Sequence, residues 1–508
     1  MSMRGGMKTL LTGAAIVATM GAAQAETLRE ALLKAYQSNP TITAQRAAQR
    51  ATDENVPIAR SQALPGVNAT GGLTDNVVQA NNNFLNPSRF GQAAVNVSLP
   101  IYAGGAVKNG IRAAETRVEA GRATLRGTEA NVFTNVVAAY MNVIRDEAVV
   151  SLNQQNVNVL NTNLQASRDR FQVGDLTRTD VAQSEARLAL ANAQLQSAEA
   201  QLIGSRENYV ALVGSPPGTL VTPPALPNLP DSPQTAVTAA LDNNPTLLAS
   251  RKQRDATRYD VSIARANRLP KVNLVTGGTY VNYLGALPSV ANGVGVPNSA
   301  TNATAGVQFT LPLFQGGRPT AQVRQAEALR SQAIENETGA ERSVISQTRA
   351  AYAMWQSAQQ VIRSSETAVS ANKLSLEGVR AENSVGTRTI LDILNAEQEL
   401  LNSQVTLVTA RRDAYVAGFA LLAAMGQAEA RDLGLDGGVL YDPTINYKRV
   451  RNTINDFGGD GEPDPVAVTT AATPAQNATV TRPLDPILDT PVDRNPALTT
   501  GAQSPNRQ

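Results

Sequence analysis

Two stretches of the chain alternate between apolar and polar or small residues. Val95, Val97, Leu99 and Ile101 interleave with Asn96, Ser98 and Pro100, and far downstream Val307, Phe309, Leu311 and Leu313 interleave with Gln308, Thr310 and Pro312. A period of two puts the apolar set on one face and predicts strands. Each has a Gly- and Thr-rich partner upstream, near 67–73 and 272–280, across a polar loop at 75–91 or about 285–302. Asn, Gly, Ser and Pro in these loops suit exposed tips. Ahead of each strand pair a short helix stops at Asn39-Pro40 or Asn244-Pro245, and a second helix over 41–63 or 246–268 runs to a Leu-Pro. Behind each pair the chain turns helical over 106–172 and 318–384, with no proline except Pro319, which suits a first helical position. At 1.5 Å per residue such a run makes a rod of about 100 Å. Both rods stop at a Val-Gly, and a returning helix follows, to Gly214 and Gly426.

These elements occur twice in one order. Asn39-Pro40-Thr41 returns as Asn244-Pro245-Thr246, and Ile58-Ala59-Arg60 returns as Ile263-Ala264-Arg265. Leu99-Pro100 with Gly104-Gly105 returns as Leu311-Pro312 with Gly316-Gly317, and Ala139-Tyr140 as Ala351-Tyr352. The spacing is 205 before the first polar loop (39 to 244) and 212 after it (99 to 311), so the extra residues of the second copy sit between its strands. One register held over this distance marks a tandem duplication of a helix-and-hairpin unit. The returning helix and the earlier helix together match the rod in length, so the two are expected to abut end to end beside it.

Composition narrows the chemistry. The chain has no Cys and no His, which removes Ser-His-Asp and Cys-His catalysis and the common zinc sites. The charge balance is nearly even, giving no electrostatic reason for a nucleic-acid partner. No cofactor is implied. Arg4 and Lys8, the apolar run 10–20 and Ala23-Gln24-Ala25 read as a secretory signal. The run is shorter than the ~20 residues of a spanning helix. The organisation expected is a signal segment 1–25, a repeat 26–214 with a hairpin at 66–101, and a Pro-rich linker 215–234. A second repeat 235–426 with a hairpin at 271–313 follows, then an equatorial, C-terminal segment 427–457. The tail 458–508, rich in Pro, Asp, Thr and Ala without periodicity, is expected to be disordered.

Four short strands cannot sit in a membrane with free edges, because unpaired backbone groups there cost several kcal/mol each. The strands therefore call for closure by further copies into a shared barrel. A secreted coiled-coil structural protein explains the rods but not the duplicated hairpins. A carboxylate hydrolase needs a pocket for which the sequence gives no sign.

The stretch from Ser384 to Ile390, Ser-Val-Gly-Thr-Arg-Thr-Ile, followed by Leu391-Asp392-Ile393-Leu394, resembles the periplasmic-tip motif of the TolC family. The first copy carries the related Phe171-Gln172-Val173-Gly174 and Thr179-Asp180-Val181. Leu-Pro-x-Tyr/Phe-x-Gly-Gly at 99–105 and 311–317 resembles the family's junction between barrel and helices. The resemblance implies a mainly α fold with a small membrane β-barrel: a homotrimer whose strands form one twelve-stranded barrel over a tapering tunnel of helical hairpins. It further implies an outer-membrane location with a long periplasmic extension. The energy comes from partners, a periplasmic adaptor and an inner-membrane ABC or RND transporter. The run 105–152 and the missing lipidation Cys lean toward the type I protein-secretion branch, with drug efflux as the alternative.

Within the resemblance, Arg388 is expected to latch the second hairpin to the first through Thr179 and Asp180, closing the periplasmic gate. Asp392 is expected to line a pore constriction, with Asn395 where the family carries a second acidic residue. Asn383 stands where the latch has a Tyr. Val173, Gly174, Asp175, Val385, Gly386 and Thr387 are the expected adaptor contact at the tips. The residues alone permit a plainer reading: Thr177 with Asp180 and Thr389 with Asp392 have the spacing of helix capping boxes. Tyr352 and Trp355 are expected to pack against a neighbouring helix.

Overall fold

The computed structural model describes residues 25–78, 87–286, 290–291, 294–295, 297–435 and 440–489; the signal segment, apart from Ala25, and the end of the tail lie outside them. The first copy comprises helices α1 (Leu28–Ser38), α2 (Pro40–Asp53) and α3 (Asn55–Ser61), strands β1 (Gly66–Asp75) and β2 (Arg89–Tyr102), and helices α4 (Ala106–Gln172) and α5 (Arg178–Val213). The second comprises α6 (Pro233–Asn243), α7 (Pro245–Ala266), β3 (Lys271–Asn282), β4 (Ser299–Thr310), α8 (Arg318–Ser384) and α9 (Ile390–Ala424), with α10 (Thr444–Val450) beyond it. Each rod is one unbroken helix of 67 residues.

The expected helix over 41–63 is two helices, broken at Glu54. Pro57 has no N–H to offer and its ring crowds the carbonyl four residues back, at Asp53, where α2 ends. The second copy has Ser262 at the matching position, and α7 runs through. The strands are longer than alternation alone suggested, so the loops are shorter. The second hairpin ends at Thr310 rather than 313, with Pro312 in the irregular link to α8.

The sheet has the order β1-β2-β3-β4, all antiparallel, so the two copies join through β2 and β3. Its register gives the two faces opposite character. Val67 stands opposite Val97, which pairs with Thr276; Leu99 opposes Leu274, which opposes Val307; Val272 opposes Phe309. The other face is mostly polar, with Asn68, Thr70, Gln92, Asn96, Ser98, Asn273, Asn302, Thr304 and Gln308, and Phe90, Val275 and Val281 among them. Val67, Val95, Val307 and Phe309 are all exposed in the protomer, and the outer edges of β1 and β4 have no strand beside them among the described residues. Among those residues no helix is long and apolar enough to cross a membrane.

Below the sheet the helices pack side by side in the order α5, α4, α9, α8, and α7 lies against both rods. The helices expected to abut do so. Asn39 and Asn244 each end one helix and cap the next, and each also donates from its side chain to the end of the returning helix. The rods' matched tyrosines pin the chain that precedes and links the copies: Tyr140 donates to the carbonyls of Glu26 (2.9 Å) and Val221 (2.6 Å), and Tyr352 to that of Asp231 (3.0 Å). Tyr352 meets Trp355 of its own helix edge to face at 5.8 Å, and the pair packs in one cluster with Ala236 of α6 and Leu421 of α9, as expected of packing residues.

The tail does not follow expectation. Residues 474–489, although without helix or strand, lie against the rods: Leu488 is buried among Leu152, Val369, Leu376 and Leu407, and Ala478 and Val480 pack on the main core. Low periodicity indicated disorder, but an extended segment needs no periodicity when other helices supply its partners.

Candidate functional site at the helix tips

Both rods end in the same turn. Gly174 (φ +85°) donates to the carbonyl of Phe171 at 3.0 Å and Asp175 to that of Arg170 at 2.9 Å; Gly386 (φ +82°) donates to Asn383 at 2.9 Å and Thr387 to Glu382 at 3.1 Å. This is the Schellman pattern, which requires a left-handed residue at the turn and so selects glycine. The valines before them, Val173 and Val385, are 77% and 74% exposed, so an apolar side chain is held out at each tip, uncovered by the described residues. Space beside both glycines is open.

The returning helices begin with full capping boxes. Thr177 N–H reaches Asp180 Oδ2 at 2.9 Å and Asp180 N–H reaches Thr177 Oγ1 at 3.3 Å; Thr389 and Asp392 repeat this at 2.9 and 3.3 Å. The hydrogen bonds from Thr389 lower the Asp392 carboxyl below the usual range, and Arg388 adds to the effect. Asp392 is therefore a fixed negative charge at neutral pH.

Arg388 lies close enough to influence Asp392, but its hydrogen bond goes to Glu382, Nε to Oε2 at 2.7 Å, on the same hairpin. In the protomer, then, Arg388 is held by the second hairpin while Asp180 is held in its own cap. Asn383 is buried and donates to the carbonyl of Arg388 at 2.7 Å, which fixes the backbone that carries the guanidinium. Asn395 accepts from Arg187 of α5 at 2.8 Å, a direct tie between the two hairpins. Sequence reasoning missed both Glu382 and Arg187. Glu382 sits six residues before its partner across a turn, a separation that no helical or strand spacing would pair. Arg187 and Asn395 are 208 positions apart, and only the packing of the hairpins brings them together.

A duplicated helical hairpin, rods of 67 residues and a sheet with one apolar and one polar face define the protomer of an outer-membrane channel with a long helical extension. The family model described as "Outer membrane efflux protein" matches residues 31–215 and 236–427, and the chain belongs to that family. Outer membrane efflux protein BepC of Brucella suis is 34% identical over 443 residues, covering 87% of this chain and 94% of its own length. Outer membrane protein TolC of Vibrio cholerae is 27% identical over 428 residues, covering 84% and 96%. The Campylobacter jejuni CmeC outer membrane channel superposes with a TM-score of 0.70 at 17% identity, over 84% of this chain and 90% of that one. The protein is thus an outer-membrane efflux channel of the TolC type.

Proposed function

We propose that three copies of this chain form an exit duct spanning the outer membrane and periplasm, conducting proteins, small toxic molecules or both, and opening at the helix tips. The observation that carries this reading is the two-faced sheet with no strand on either outer edge among the described residues. Its apolar face suits lipid, its polar face suits a water-filled lumen, and closure with the strands of two further copies satisfies every edge in a twelve-stranded barrel. The rods then continue the lumen across the periplasm. Conduction is passive; a periplasmic adaptor and an inner-membrane ABC or RND transporter supply cargo and energy.

The adaptor docks at the exposed turns Val173-Gly174-Asp175 and Val385-Gly386-Thr387, where open glycines allow a second helical hairpin to approach the backbone. In the closed trimer Arg388 exchanges Glu382 for Thr179 and Asp180, latching the hairpins. Because both Arg388 and Glu382 are half-exposed, their pair stabilises the tip little and the exchange costs little. Asp392 and Asn395 line the constriction, with one acidic ring in place of two, so cation block is weak. The test is to delete the gene and compare secreted proteins with drug sensitivity. Loss of a secreted protein at unchanged drug tolerance supports type I secretion, the converse supports efflux, and no change in either, with no trimer in the outer membrane, overturns the duct.

A further inference from the structure

Where β2 gives way to α4 the chain forms an open groove of about 600 Å³, lined by Ile101, Tyr102, Lys108, Ile111, Arg112 and Glu115. The end of β2 is irregular there. Its register slips between Pro100 and Tyr102, which leaves Ile101 without a partner in β3 and sets Tyr102 opposite Val272. Directly opposed residues share a face, and Val272 opposes Phe309, so the slip turns Tyr102 onto the apolar face of the sheet. Tyr102, Val272 and Phe309 form the last apolar row before the helices. Ile101, Tyr102 and Phe309 are 61%, 47% and 62% exposed.

Charge follows at once along α4. At 100° per residue, Lys108, Arg112 and Glu115 fall within about 60° of one another. They lie opposite Arg117, which pairs with Asp260 of α7, and away from Ala114 and Val118, which pack on Val56 of α3. Helices of the same protomer thus flank α4 on both sides and leave this face open. Neither Lys108 nor Arg112 has an ion-pair partner among the described residues, although Glu115 stands one turn from Arg112. Lys108 and Arg112 stand about 3 and 9 Å along the helix from its start at Ala106. A headgroup layer is about 5–8 Å deep. The lysine falls within that depth, and the long arginine side chain can reach back into it. The second copy keeps the apolar surface but half the charge: Leu313 and Phe314, both 89% exposed, match Ile101 and Tyr102, and Arg324 matches Arg112, whereas Thr320 replaces Lys108.

We propose that this groove binds one anionic glycerophospholipid of the periplasmic leaflet per chain. Lys108 and Arg112 hold the phosphate, Tyr102 lies at the boundary between headgroup and acyl chains, and the chains run over Ile101 onto the apolar sheet face. Two cations against one carboxylate favour an anionic lipid over a zwitterionic one. The continuous apolar surface favours a lipid over free phosphate. The site rests on the duct reading for the side of the sheet that meets lipid.

The test is native mass spectrometry of the detergent-solubilised channel titrated with phosphatidylglycerol or phosphatidylcholine. The wild type is expected to bind one phosphatidylglycerol per chain about tenfold more tightly than phosphatidylcholine. Lys108→Gln with Arg112→Gln is expected to abolish that preference. Arg324→Gln in the second copy, and the charge-keeping pair Lys108→Arg with Arg112→Lys, are expected to retain it. Should the double glutamine variant fail to fold, Arg112→Gln alone is expected to cut the preference to about threefold. Equal binding of the two lipids by the wild type overturns the site, and so does an unchanged preference in the glutamine variants, which marks unselective annular lipid. Displacement of phosphatidylglycerol by millimolar inorganic phosphate also overturns it, because the groove then takes a free anion. Binding is read without ion flow. A wild type that shows the preference but neither trimerises nor conducts in bilayers sinks the duct and keeps the lipid site; a conducting trimer without the preference does the reverse.

Discussion

The side-chain amide of Asn244 donates to the carbonyl of Ala424 at 2.9 Å while its Oδ1 accepts from the backbone of Thr246 at 3.0 Å. One side chain thus satisfies the last turn of α9 and the first turn of α7, welding two helices end to end beside an unbroken rod. Asn39 does the same, donating to Leu212 at 2.8 Å and capping Thr41 at 2.9 Å. Asn244→Ala is expected to lose about 2 kcal/mol, from the lost cap and the carbonyl left unpaired. Asn244→Asp keeps the acceptor and loses the donor, so about half that loss is expected. Chemical denaturation of the detergent-solubilised trimer measures both; equal losses in the two variants contradict the double role.

The glycines at these joints differ between the copies. A Cβ on Gly426 (φ +73°) would come within 2.6 Å of the carbonyl carbon of Asn243, which is rigid backbone. A Cβ on Gly214 (φ +85°) would meet only the hydroxyl of Ser38, at 3.3 Å, which can rotate away. Gly214→Ala is expected to cost about 1 kcal/mol for the left-handed backbone alone, and Gly426→Ala about 3 kcal/mol or more. Parallel melting curves decide this, and a larger effect at Gly214 would refute the asymmetry.

The rods were legible because helices are announced by what they lack. Neither run contains an interior proline, and both end where glycine permits the reversal. The sheet faces were legible at Val95–Val97–Leu99 and Val307–Phe309, but not at 66–75, where Gly71 and Gly72 mask the period; there the register with β2 settles the faces. The break before α3 was missed: the expected single helix over 41–63 passed over Pro57, because the apolar spacing around it continues as though unbroken. The seating of residues 474–489 on the helices was hidden for a different reason. The segment's apolar residues Val480, Leu484 and Leu488 carry no element of their own, and its partners Arg206, Lys373 and Arg411 are distant in sequence. At the tips the capping boxes could be read from Thr177–Asp180 and Thr389–Asp392, whereas the Arg388–Glu382 pair depends on the turn's three-dimensional path.

Glu129 of α4 makes stability depend on pH. Burial lifts its carboxyl from 4.5 to about 7; Arg46 and Arg126 oppose the shift and Glu429 adds to it. The folded chain therefore holds this proton more tightly than the unfolded one. Below about 4.5 the group is neutral in both states and costs nothing, between 4.5 and 7 stability falls as pH rises, and above 7 the loss is complete, about 3 kcal/mol. Glu129→Gln is expected to flatten this dependence and to raise stability at pH 8 while leaving pH 4 nearly unchanged. Thermal melts across that range test it; a variant that melts in parallel with the wild type at every pH shows that Glu129 is not the source.

The Arg388 guanidinium faces a choice between two carboxylates. In the protomer it takes Glu382, six residues away on its own hairpin; in the proposed closed trimer it takes Asp180 with Thr179. Removing the cation abolishes the latch, so Arg388→Ser is expected to raise single-channel conductance in planar bilayers several-fold. Glu382→Gln removes the competitor's charge and leaves the latch intact, freeing Arg388 for Asp180. It is expected to lower the open probability and leave the fully open conductance unchanged. The two variants therefore move the gate in opposite directions if Arg388 switches partners. If both open the channel, the Glu382 pair is itself part of the closed tip. If Arg388→Ser leaves conductance and its voltage response as in the wild type, Arg388 is only a surface cation beside a turn.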